Sequence, residues 1–157
     1  MERKALEVRN VVFYVLVVLF AVIVASIGRE FVNVPFSVTA VLAIVFGLLG
    51  IVLVVLAARL AGTRIQKTFF ILTGASATAM PIFAVLHNLV YGLLIAWFGE
   101  GFWERHASGG DEPVFFILAV LVCPALFVIG TVGSIVLFVK AGIARHGDVP
   151  RPDDAPD

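Results

Sequence analysis

A chain of 157 residues that is 61% hydrophobic and only 14% charged, with zero formal net charge and a mean hydropathy of +1.10, cannot be a water-soluble globular domain. No nucleic-acid partner is expected. Four uncharged apolar runs, at 11–28, 36–58, 69–98 and 114–139, each reach the roughly 18 residues that carry a helix across a hydrocarbon core of about 30 Å. A transmembrane barrel would need alternating ten-residue segments, and none are present. The expectation is an all-α integral membrane bundle of four transmembrane helices, up-and-down, filling 1–146, with a Pro- and Asp-rich tail at 147–157 that has nothing to bury and is expected to be disordered.

Charge placement orients the bundle. Nine of the eleven Lys and Arg fall before the first span, between the second and third, or after the fourth; Arg29 and Arg105 are the exceptions. By the positive-inside rule both termini and the second connection face the cytoplasm, in a multi-pass protein of the cell membrane.

Residues 1–10, MERKALEVRN, form a short charged start whose basic residues meet anionic headgroups; a topology signal is the commoner role, lipid recognition the sharper one. The first apolar run is longer than a usual signal-peptide core and has no small-x-small cleavage site before Arg29, so a retained helix is expected. It holds only Tyr14 and Ser26 as polar groups and reads as a lipid-facing element.

The connection GREFVNVP is too short for a domain, and Pro35 suits the opening of the second helix. That helix carries Ala43 and Gly47 in small-xxx-small register, with Gly50 beyond, which marks a packing seam within the bundle or a homodimer face. The segment AARLAGTRIQK then forms a basic connection.

The third span holds most of the intramembrane polar chemistry. Alternating steps of three and four place Thr73, Ala77, Met80, Ala84, His87 and Tyr91 on one helical face, with Asn88 beside it. This candidate stripe, Thr73, Ala77, Met80, His87, Asn88 and Tyr91, is expected to turn inward, where backbones approach and side chains bond across helices. Thirty residues make about 45 Å of helix at 1.5 Å each, more than the bilayer core, so the helix must tilt, kink at Pro81 or run into the interface. Trp97, Phe98, Phe102 and Trp103 mark an aromatic belt.

The next loop sets Glu100, Glu104, Asp111 and Glu112 against Arg105 and His106. Its spacing matches no metal site, and a solvated acidic loop is expected. The fourth span carries Cys123 and Pro124, a second expected kink, then Gly130 and Ser134 as another close-packing pair. The single cysteine excludes an intramolecular disulfide. The motif GREFVNVPF before a helix ending ARLAG resembles GEGFW through DEPVF before a helix ending VKAG, a match too short to establish duplication.

Catalytic arrangements fare poorly. An intramembrane histidine is a functional candidate by default, yet a neutral imidazole fixing helix packing is the commoner role, for His87 as for Asn88. Ser76 lies eleven residues from His87 on one helix, about 16 Å, too far for a dyad unless the helix breaks. His106 and His146 fall on opposite sides of the membrane, which leaves no histidine pair for haem or zinc. No phosphate or dinucleotide motif occurs, and no Asp, Glu, Lys or Arg lies within the spans, where proton-driven carriers place one.

The expected role is therefore non-enzymatic, without cofactor or metal. The chain reads as a small membrane protein that packs with a membrane-protein partner or forms a homo-oligomer. A channel or carrier for a small neutral solute, lined by the third-helix stripe, is the alternative, and an intramembrane enzyme ranks last.

Overall fold

The computed structural model describes residues 2–27, 35–106 and 113–147. The tail at 148–157 and most of the two loops compared above, at 28–34 and 107–112, lie outside them. The described residues form helices α1 (Glu2–Ile27), α2 (Phe36–Arg59), α3 (Arg64–Phe98) and the short α4 (Phe102–His106). Then α5 (Pro113–Ile117), a π-helical turn (Leu118–Val122) and α6 (Cys123–Gly147) follow without a break. Four stretches are long and apolar enough to cross a membrane, at 2–26, 37–59, 64–98 and 113–141.

Local chemistry explains the ends. Residues 2–10 are not a separate start but the first turns of α1, built from good helix formers with Arg3 and Glu7 paired at 3.7 Å one turn apart. Pro35 stands at the N-cap of α2 rather than its first turn, and its carbonyl accepts from Val38 N–H at 2.9 Å. α3 starts at a capping sequence, Thr63-x-x-Gln66, in which the Thr63 hydroxyl accepts from Gln66 N–H at 3.2 Å. It stops at Gly99, whose φ of 86° is left-handed and favours glycine.

The two prolines act differently. α3 runs unbroken through Pro81, and the ring sits over α2: its Cγ is 2.9 Å from the point a Cβ on Gly47 would occupy. Pro124 has no N–H for the Val120 carbonyl and crowds it. The helix widens just before it, with Cys123 N–H bonding Leu118 O five residues back. Such a π bulge absorbs a disrupted ladder without ending the helix.

α3 is held between α2 and α6 by backbone proximity. A Cβ on Gly50 would stand 2.6 Å from Gly74 O, and a Cβ on Gly74 would stand 2.6 Å from Gly50 O. On the other side, a Cβ on Gly130 would lie 2.8 Å from Thr73 N, and one on Gly133 would enter the Phe69 ring. A side chain at Gly50, Gly74 or Gly130 would meet backbone and push the helices apart, so glycine is required there by approach rather than by dihedral angle.

α1 closes the remaining side. Expected to face lipid, it is exposed on one face only: Val8, Val11, Val18 and Val22 are exposed, but Phe13 and Leu16 are fully buried. An aromatic cluster fills the interior. Phe13 meets Phe70 edge-on at 5.4 Å, Phe20 meets Phe127 at 4.5 Å, and Phe46 meets Phe127 at 5.5 Å. Phe138 lies against Phe13 and Phe70. At most 28% of any span's apolar window is buried, so most of the apolar surface faces outward, an arrangement water would penalise heavily.

Gly50→Ala and Gly74→Ala are each expected to destabilise the bundle by about 1–3 kcal/mol through overpacking against backbone. Gly92→Ala, where a Cβ meets nothing within 4 Å, is expected to gain about 0.5–1 kcal/mol from helix propensity. Thermal unfolding midpoints in detergent check both signs.

Candidate functional site

The six candidate residues of α3 do not share one environment. Thr73 and Ala77 are fully buried, and Met80 is partly buried against the aromatic core. Thr73 packs on Gly130 of α6, and its hydroxyl donates back to Phe69 O at 2.9 Å. Farther along, His87 is half-buried with its ring 5.5 Å from that of Phe116, next to the Phe83–Phe115 stack at 6.0 Å. Tyr91 is half-buried, whereas Asn88 is exposed and donates to Ala84 O of its own helix at 2.8 Å.

The structure thus brings Thr73 and Ala77 into closed helix packing and sets His87 against α5, with Asn88 turned outward. Ser76 is buried, and because α3 does not break between them, Ser76 and His87 stay on one continuous helix. His106 stacks on Phe102 at 4.5 Å, with Nδ1 2.8 Å from Phe102 O. Glu100 is exposed; Asp111, Glu112 and the loop around them lie outside the described residues. Among the described residues no three His, Cys, Asp or Glu converge on a common point.

One polar contact absent from the stripe joins helices directly. The Thr78 hydroxyl lies 3.1 Å from Gly47 O of α2 and 3.0 Å from Gly74 O of α3, sharing its one proton between a cross-helix and a within-helix acceptor. Thr78 lies one turn beyond Gly74, but its cross-helix partner Gly47 is 31 residues away, so no local pattern marks the bond. Beside it opens a groove of about 360 Å³ between α2 and α3, lined by Ile44, Leu48, Ile51, Ile82 and Val85 over a floor of Gly47, Thr78 and Pro81. None of the six stripe residues lines it.

Two hydroxyls lack partners. Thr131 and Ser134 of α6 are buried, and neither Oγ makes a hydrogen bond among the described residues. They share a face with Phe127 and Phe138 by helical spacing, so they accompany the aromatic cluster.

At the basic end, Arg9 of α1 is only 4% exposed. Its guanidinium lies 4.5 Å from the centre of the Phe70 ring, and its Nε and Nη2 reach Asn10 Oδ1 at 3.4 and 3.3 Å. Among the described residues no carboxylate pairs with it; Glu7 is taken by Arg3. A cation–π contact supplies about 0.5–2 kcal/mol, whereas an unpaired buried ion costs several. These contacts leave the charge under-compensated.

No family model, curated protein or solved structure matches this chain.

The same substitution should act with opposite sign at two threonines. Thr78→Val is expected to cost about 0.6–1 kcal/mol by removing the bond to Gly47 O, while Thr131→Val, which removes a hydroxyl without a partner, is expected to be neutral or stabilising. Unfolding midpoints of the two variants, measured side by side in one detergent, provide the check.

Proposed function

We propose that this chain is an integral protein of the cell membrane, with both termini on the cytoplasmic side, that acts without catalysis as a packing or assembly partner or as a homo-oligomer. The membrane placement is supported by the four long helices and by the Val, Ile and Leu that dominate their exposed faces. Sidedness is supported by the gathering of Lys and Arg at one end of the bundle.

The observation that carries the non-enzymatic reading is the use of polar groups on α3. Thr78 bonds across to α2, Thr73 packs on a glycine of α6, and Ser76 is buried 11 residues from His87 on one unbroken helix. These side chains serve helix association, and the bilayer is the constant partner. A channel or carrier for a small neutral solute is the second reading; it draws on His87 and Tyr91, which are half-buried rather than packed away. The full burial of Thr73 and Ala77 in the same stripe weighs against a continuous lined path.

Native mass spectrometry from mild detergent is expected to show a homo-oligomer or a retained second protein; a bare monomer would count against assembly. His87→Ala and Tyr91→Ala are expected to lower the thermal midpoint, each by about 1 kcal/mol of stability, with no change in solute flux across reconstituted vesicles. Altered flux at an unchanged midpoint would instead support the channel or carrier.

A further inference from the structure

We propose that Arg9 anchors a phosphate site at the basic end of the bundle, and that its occupant is the headgroup of a net-anionic phospholipid. The inference rests on the membrane placement proposed above. Arg9 is not a free topology charge. It is 4% exposed, stacked over Phe70 at 4.5 Å, and among the described residues it has only the Asn10 carboxamide as a hydrogen-bond partner. A buried cation of this kind is stabilised by an anion, and a guanidinium matches phosphate oxygens in geometry as well as charge.

The side chain nearest that cation on the α2–α3 connection is a missing one. Gly62, in the connection between α2 and α3, is exposed and has no side chain to cover the site. From the point where its Cβ would stand, Arg9 Nη1 lies 3.9 Å away and Gln66 Oε1 3.0 Å away. An incoming anion would therefore meet Nη1 beside the Gln66 carboxamide, whose NH2 is a second donor once rotated. Exposed Arg64 and Arg59 at the same end raise the local positive potential.

A phospholipid fits better than a free phosphate because Arg9 and Gly62 stand in apolar sequence: Val8 and Val11 on α1 and Ile65 at the start of α3 are 51%, 60% and 62% exposed, apolar surface for acyl chains within three residues of the two on either helix.

The protein is incorporated into phosphatidylcholine nanodiscs with and without phosphatidylglycerol, and the thermal midpoint and the lipids retained in native mass spectra are read. A chain that stays out of the discs overturns the membrane placement itself. Once incorporated, the wild type is expected to gain in midpoint with phosphatidylglycerol and to retain it about tenfold over phosphatidylcholine, the scale of one charge-assisted contact. Arg9→Gln should abolish that preference. Gly62→Leu, whose backbone is not left-handed, should abolish it too, read against that variant's own midpoint in pure phosphatidylcholine. Equal retention of both lipids by the wild type, or an undiminished preference in Gly62→Leu, overturns the site. Inorganic phosphate that reproduces the whole midpoint gain in phosphatidylcholine discs overturns the lipid as its source.

Discussion

Everything in this bundle depends on how closely the backbone of α3 approaches its two neighbours. At Gly50 and Gly74 the approach is reciprocal, each Cα facing the other's carbonyl with no room for a methyl group. At Gly130 and Gly133 it is one-sided, a glycine pair of α6 receiving Thr73 and the Phe69 ring. In an apolar solvent the hydrophobic effect does not drive helices together, so contact must come from dispersion, weak Cα–H···O bonds and hydroxyl bridges. Glycine is what makes all three possible over the same few residues, and Thr78 supplies the hydroxyl.

Once α3 is seated between α2 and α6, the rest follows as filling. The channel left on the third side is wide enough for aromatic rings, and Phe13, Phe20, Phe46, Phe70, Phe127 and Phe138 occupy it in edge-on and tilted pairs. α1 contributes two of these and is held by them. Among the described residues the fully buried positions stop near the middle of the bundle: none occurs in α3 beyond Ala77, in α5 or in the π turn. The half-buried His87 and Tyr91 thus sit in the less tightly packed part, beside the one place where the helical ladder changes register. The buried cation lies at the opposite, tightly packed end.

The periodicity of α3 places Thr73 to Tyr91 on one helical face, yet the packed part of the helix has two. The contact with α2 runs through Gly74, Thr78 and Pro81, that with α6 through Phe69 and Thr73, so the stripe from Thr73 to Tyr91 straddles the two. Small-xxx-small register pairs Ala43 with Gly47 and Gly130 with Ser134, whereas the close approaches fall at Gly47 and Gly50 and at Gly130 and Gly133, each three residues apart. Spacing of three or four depends on how the helices cross, and one helix alone does not contain that angle.

The sequence by itself determined the number and apolar character of the four spans, because those depend on uninterrupted runs of apolar side chains. It also marked Pro81 and Pro124 as points where a ladder bond is missing, since an absent N–H is a local fact, but not that the helix would widen at one and run unbroken through the other. Only the tertiary structure decided which face of α1 is buried, which hydroxyls find partners, and that Arg9 is enclosed rather than solvated. Each of these depends on what stands opposite in space: Phe70 and Gly62 lie more than fifty residues from Arg9, and nothing in the local pattern MERKALEVRN distinguishes a buried arginine from a surface one.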